Sequence, residues 1–396
     1  MTAYLDHAST TPMRPEALDA YLGRAARLGN PSSLHTSGRD ARRAVEESRE
    51  SVAAAVGARA GEIVWTSGGT EADNLAIKGL FWARRAEDPR RRRVLVGAAE
   101  HHAVLDVVEW LAAHEGADVR LLPVDEQGRT DLAALEAELA DAPEQIALLS
   151  LMWANNEVGT LQPVAEATRA AHAVGVPVHT DAVQAVGHVP VDVSAAGVDA
   201  LSLSAHKFGG PVGVGALVLR RGTPLVPLLH GGGQELGHRS GTPAAAAAVA
   251  TAAALAVAVS DLTGEAARLA GLRDRLLAGI GGLEGVVLRG DPRERLPGNT
   301  HVTVAGCQGD SLLYLLDAAG VECSTGSACQ AGVPRPSHVL LAMGLSSDEA
   351  AGALRFSTGW SSTEADVDAA VAALGPALER ARRAARPRSR RVRGAA

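Results

Sequence analysis

Apolar runs of strand length recur along this chain. Most are followed by a polar loop, helix-like stretches lie between them, and that alternation limits the fold more than any other feature. The runs are residues 63–66, 94–97, 146–152, 176–179, 200–204 and 216–219. Amphipathic stretches lie between them, among them 106–115, 132–140 and 163–174. Strands alternating with helices predict a mainly parallel sheet covered by helices on both faces. Five runs end in polar loops: Ser67-Gly68-Gly69-Thr70, Glu100-His101-His102, Asn155-Asn156-Glu157, Asp181-Ala182-Val183-Gln184 and Ser204-Ala205-His206-Lys207. Ligands of an open α/β sheet bind at the carboxyl ends of its strands, so these loops predict one composite site.

The texture changes after an alanine-rich stretch, residues 244–259, which is too short and too rich in alanine for a membrane span and reads as a buried helix. Shorter strands are expected at 282–289, 300–304 and 354–357, mixed with helices at 265–279, 310–318 and 363–383. A second, smaller α+β domain is therefore expected from about residue 258. The net charge of −7 argues against a general nucleic-acid or membrane surface. The arginine-rich end beyond Glu379 is the exception, and it is expected to be a solvated, frayed terminus. The first fifteen residues hold no apolar signal core, and the three cysteines, Cys307, Cys323 and Cys329, form no C-x-x-C pair. A cytoplasmic setting is the expectation.

Only two lysines, Lys78 and Lys207, stand among the 38 basic residues. Arginine stays protonated, whereas lysine can lose its proton and form a Schiff base. Lys78 lies in a helix-like stretch and reads as a surface charge. Lys207 ends a strand-loop and precedes Gly209-Gly210. Asp181, at the end of an earlier run, is a carboxylate able to keep a pyridine-ring nitrogen protonated. Gly68-Gly69-Thr70 reads either as a phosphate cradle or as a tight turn with a helix cap. Asp181 and Lys207 taken singly read as a helix cap and an exposed charge. Together with the glycine-threonine loop and His206 they point to a pyridoxal cofactor. The pair His101-His102 lacks a third ligand at sensible spacing for a metal, and His102 is left to packing or capping.

Ordered motifs run almost end to end: Leu5-Asp6-His7-Ala8-Ser9-Thr10-Thr11-Pro12, Gly29-Asn30-Pro31, Thr66-Ser67-Gly68-Gly69-Thr70-Glu71, Glu100-His101-His102, Asn155-Asn156-Glu157-Val158-Gly159, Asp181-Ala182-Val183-Gln184, Ser204-Ala205-His206-Lys207, Arg239-Ser240-Gly241-Thr242, Gly326-Ser327-Ala328-Cys329 and Leu354-Arg355-Phe356-Ser357. On these the chain resembles the class V, fold-type-I pyridoxal-phosphate enzymes, and among them the cysteine desulfurases of the NifS/IscS kind. The resemblance implies an α/β large domain with a mainly parallel seven-stranded sheet between helices, over residues 15–257. It also implies a smaller α+β domain made of 1–14 and 258–379, with 380–396 as a basic tail. Lys207 would carry pyridoxal 5′-phosphate and then move the proton at the substrate Cα. Asp181 would pair with the ring nitrogen, Gln184 would bond the ring hydroxyl, and His101 would stack on the ring and handle the thiol proton. Gly69, Thr70, Ser204 and His206 would hold the phosphate, with Thr242 reaching across a homodimer to the partner's phosphate. Asn156 would contact cofactor or substrate, and Arg355, aided by Asn30, would clamp the substrate carboxylate.

Cys329 separates the possible reactions. It sits in a small, glycine-flanked stretch, where a thiolate can act as a nucleophile, whereas Cys307 and Cys323 read as core thiols. The resemblance implies that L-cysteine yields L-alanine and a persulfide on Cys329. The sulfur would pass to an acceptor protein of iron–sulfur cluster assembly or of tRNA or other thiolation. A selenocysteine lyase or a class V aminotransferase is the alternative. Leu236 stands where the family commonly has arginine, and Trp153-Ala154 before Asn155 is uncommon in it.

Overall fold

In a computed structural model of the chain, residues 2–326 and 336–385 are described. Twelve strands are found among them: β1 (Ala3–Tyr4), β2 (Ile63–Thr66), β3 (Arg93–Gly97), β4 (Asp118–Leu122), β5 (Ile146–Ser150), β6 (Val178–Asp181), β7 (Ala200–Ser204), β8 (Gly215–Leu219), β9 (Val286–Arg289), β10 (Asn299–Val304), β11 (Val321–Glu322) and β12 (Ala353–Ser357). Seven of them make the large sheet, in the order β2-β8-β7-β6-β5-β3-β4. The β3–β4, β3–β5, β5–β6 and β6–β7 pairs are parallel. Strand β8 runs antiparallel to both of its neighbours.

Six of the seven strands coincide with the apolar runs, and both faces of the sheet are covered because the side chains alternate. Leu95, Leu201 and Val218 pack into one core layer, while Val94, Val96 and Leu217 pack into the other. Strand β4 went unread for a physical reason. It is an edge strand, partnered on one side only, and Arg120 and Leu121 are exposed. The first four helices are α1 (Pro15–Ala25), α2 (Thr36–Ala55), α3 (Gly69–Glu87) and α4 (His102–Glu115). The alanine-rich helix Ala245–Ser260 packs against α1 and α2, with Ala248, Ala250, Ala254 and Ala258 buried. No single helix among the described residues is long and apolar enough to cross a membrane.

A three-stranded antiparallel sheet, β12-β10-β9, lies on a separate core of Leu272, Leu276, Val302, Leu354, Phe356 and Leu374. The N-terminal strand β1 pairs in parallel with β11, and Asp6 bridges to Ser357. The last helix, Glu364–Ala385, corrects the expected tail boundary at residue 380. Its stripe of Val367, Ala370, Leu374, Leu378 and Ala381 is buried in that core, which keeps the chain helical through Arg380, Arg382 and Arg383. The remaining residues, 386–396, lie outside those described.

Candidate active site

A cavity of about 380 Å³ opens at the carboxyl ends of the parallel strands, within the range of small-ligand sites. Its wall includes Gly69, Thr70, His101, Asn156, Asp181, Gln184, Ser204, His206, Lys207 and Arg355. The chain's turns explain the convergence. Strand β2 ends at Thr66, and the turn after it holds Gly68 at φ 155° and ψ −177°, a conformation essentially reserved for glycine; α3 begins at the next residue. Gly69 has no room for a side chain: a Cβ there would come within 2.6 Å of Val183 Cγ2. The bare first turn of α3 thus faces the cavity with N–H groups that have no intrahelical partner. Strand β6 delivers Asp181 as its last residue, and the end of β7 leads into Ser204 and Lys207.

Lys207 Nζ donates to the carbonyls of Ala8 (2.6 Å) and Ser9 (2.8 Å). Burial, followed by the charge of Arg355, brings its pKa down to about 8. Asp181 accepts from the Val183 N–H at 2.8 Å. Burial, followed by the nearby carboxyl of Asp73, lifts it to about 7. His101 caps α4 by accepting from the Ala103 N–H at 3.1 Å, and burial with the nearby Lys207 pushes its pKa down to about 4. It therefore presents a neutral ring at pH 7. His206 lies 3.2 Å from the Thr10 hydroxyl, and the Gln184 amide donates to the Ala8 carbonyl at 2.9 Å.

Arg355, central in β12, enters from the small sheet. Its Nη1 donates to the Asn156 carbonyl, and its Nη2 donates to Asp6 Oδ1 and to Ser9 Oγ, all at 2.8 Å. The cavity is thus walled by both sheets, with residues 6–9 of the N-terminal segment between them.

Two expected members stand elsewhere. Asn30 is exposed, and its side chain accepts from the Ser32 N–H rather than meeting Arg355. Thr242 lines a different cavity, with Trp65, Glu235 and Arg239. Its segment is fastened by two ion pairs: Arg49 holds the buried Glu235 at 2.7 Å, and Arg239 holds Glu71 in the first turn of α3 at 2.8 Å. Glu235 and Leu236 sit at φ 49° and 56°, the left-handed region. Leu236 is exposed there, and nothing in the structure explains its departure from the family's arginine. Cys329 lies outside the described residues. Cys307 and Cys323 are buried, and burial pushes the Cys323 thiol up to about 12, which suppresses its thiolate.

Several residues of the site were not singled out from the sequence. Below Asp181 lies a buried polar patch. Ser150 and Ser202 flank the two nitrogens of His179 at 2.9 and 3.0 Å, and Asp73 Oδ1 stands 3.5 Å from His179 Nε2. Burial raises Asp73 to about 7, and it lifts Glu100 well above the usual carboxylate range. His102, left to packing, lines the cavity, with its ring 5.0 Å from that of His338. The available signal for Asp73 was helical spacing. It lies four residues from both Gly69 and Ile77, on the buried stripe of α3.

The sequence model of the family Aminotransferase class-V matches residues 3–370. The chain is 56% identical over 385 residues to the IscS-like cysteine desulfurase of Mycobacterium tuberculosis, covering 97% of this chain and 98% of that one. This chain belongs to the class-V aminotransferase family, in its IscS/NifS cysteine desulfurase group. Solved structures share the architecture. A NifS-like protein superposes with a TM-score of 0.88 at 36% identity, over 96% of this chain and all of that one. SspA in complex with cysteine superposes with a TM-score of 0.78 at 34% identity, over 90% and 98% of the two chains. In this desulfurase-group chain the family's fold brings Lys207, Asp181 and Arg355 onto one cavity.

Proposed function

We propose that this protein uses pyridoxal 5′-phosphate to remove sulfur from L-cysteine, giving L-alanine and a persulfide on Cys329 for transfer to an acceptor. The observation that carries the reading is the convergence of Lys207, Asp181 and Arg355 on a cavity of about 380 Å³. The donor set suits the cofactor. Burial, followed by the carboxyl of Asp73, lifts Asp181 to about 7, and a protonated ring nitrogen would give that buried carboxylate an ion-pair partner. The first turn of α3, with Thr70, Ser204 and His206, suits a phosphate, and the side-chain-free Gly69 lets it approach. His101, neutral at pH 7, suits the ring face, and Gln184 and Asn156 line the same wall.

When bound, the cofactor supplies an electron sink for the pair released at the substrate's Cα. Lys207 takes that proton, a task suited to an amine whose pKa is about 8. Arg355 holds the substrate carboxylate, and His101 handles the thiol proton. The Cys329 thiolate bonds to the substrate sulfur as the Cβ–S bond breaks. The electron pair stays on carbon, which takes a proton and leaves as alanine. Thr242, outside the cavity, is assigned to the phosphate of a second subunit in a homodimer. The acceptor is a protein of iron–sulfur cluster assembly or of tRNA thiolation. SspA's structure with cysteine supports the substrate.

Alanine and sulfide released from L-cysteine in the presence of a reducing thiol test the reading. The wild type is expected to release them in equal amounts, and Cys329→Ala to lose about a hundredfold in sulfide release. Full release by Cys329→Ala would remove Cys329 from the reaction. A second prediction comes from Lys207. Capture of pyridoxal phosphate by the apoprotein, trapped with borohydride, will rise about tenfold per pH unit below 8 and level off above it. A rise that continues to pH 10 would show a lysine with an ordinary pKa.

A further inference from the structure

Arg355 is already engaged by residues of its own chain. A guanidinium has five N–H groups. Nη2 donates to Asp6 Oδ1 and to Ser9 Oγ, each at 2.8 Å. One hydrogen of Nη1 is given to the Asn156 carbonyl at 2.8 Å, and Nε is buried without a partner among the described residues. The Ser9 hydroxyl closes a ring by donating to the same Asp6 oxygen at 2.9 Å. A carboxylate gripped by two parallel N–H bonds lies along one edge of the guanidinium. Each such edge includes Nη2, paired either with Nε or with Nη1. An incoming carboxylate gripped along either edge must therefore compete with Asp6 and Ser9 for Nη2.

We propose that Asp6 is an internal carboxylate that occupies Arg355 until the substrate's carboxylate displaces it. The inference rests on the reading that Arg355 binds the substrate carboxylate. The exchange replaces one carboxylate by another, so the buried guanidinium keeps an anionic partner throughout. Arg355 is only 3% exposed, and an uncompensated charge there is costly. A ligand without a carboxylate leaves Asp6 in place and gains nothing from Arg355. Asp6 thus weakens carboxylate binding and sets a threshold against amines that lack the group. Its side chain is 22% exposed, which gives the displaced carboxylate access to water.

Calorimetric titration of the holoenzyme with 3-mercaptopropionate, and with cysteamine as the carboxylate-free probe, tests this. Asp6→Asn is expected to bind 3-mercaptopropionate about tenfold tighter and cysteamine no tighter. Its KM for L-cysteine should fall by a larger factor than any change in kcat. Ser9→Ala, which removes one acceptor and the bridge to Asp6, should shift binding in the same direction by less, and it carries the test should Asp6→Asn fail to fold. Arg355→Gln separates the two ideas. If it loses 3-mercaptopropionate while Asp6→Asn binds as wild type or more weakly, Asp6 is a support for Arg355 and the exchange is wrong. If Arg355→Gln binds the probe as well as wild type, the assignment of Arg355 itself fails.

Discussion

Lys207→Ala is expected to hold pyridoxal phosphate only reversibly and to lose at least about 10⁴-fold in turnover of L-cysteine. Two roles vanish at once: the covalent tether, and the amine that moves the Cα proton. No other residue can take them over. Arginine stays charged, and 36 of the 38 basic residues are arginine. The second lysine, Lys78, lies on α3 with its ammonium 4.2 Å from the centre of the Trp110 ring. It lines a neighbouring groove rather than the cavity itself. Gel filtration should strip the colour from Lys207→Ala but not from wild type. Borohydride followed by peptide mass analysis should find a pyridoxyl adduct on Lys207 in wild type and none in the variant. An adduct on Lys78, or turnover within a hundredfold of wild type, would overturn the assignment.

Asp181→Asn is expected to separate stability from activity. Turnover should fall about 10³-fold, because removing one partner of a buried charge pair costs about 3–5 kcal/mol. The apoprotein should nonetheless gain stability at pH 8. The carboxyl's pKa is raised from 3.8 to about 7 in the fold, so its favourable contribution is complete below 3.8 and is lost as pH rises through 7. At pH 8 the native state holds a buried charge that asparagine lacks. Thermal unfolding of apo Asp181→Asn should therefore rise by roughly 2 °C or more at pH 8, and the gain should shrink toward pH 5. An apoprotein destabilised at pH 8 would mean that Asp181 already has a cationic partner there. Turnover near the wild-type value would mean that the carboxylate does not meet the ring nitrogen.

The large sheet was legible because its interior strands are buried on both faces and spell continuous apolar runs. Direction was not legible. The burial of β8 matches that of the parallel strands β5 and β7, and nothing in Gly215–Leu219 records that the strand runs the other way. Site residues at strand ends could be found because polar groups there break an apolar run, as Asp181 and Lys207 do. Asp73 and His179 stayed hidden for the opposite reason. Asp73 sits in a helix, where a carboxylate ordinarily faces water, and His179 sits inside a strand already counted as core. Asn30 shows the limit of transferring a role by motif. Its side-chain oxygen accepts from the Ser32 N–H in its own turn, and Asn30 is not among the residues lining the cavity. Arg355 was identified, but its ties to Asp6 and Ser9 join residues that only the folded sheets bring together.

The pairing of Asp6 with Arg355 joins positions 349 residues apart in the chain. During synthesis, at about 5–20 residues per second, roughly 20–70 s separate the appearance of the two. In the last part of that interval, after Lys207 has emerged, the α3 turn, Asp181 and Lys207 have all left the ribosome, while the wall that holds Arg355 does not yet exist. A nascent chain of this kind can meet the cofactor's aldehyde before it is able to discriminate among amino acids, so loading can precede selectivity in the life of each molecule.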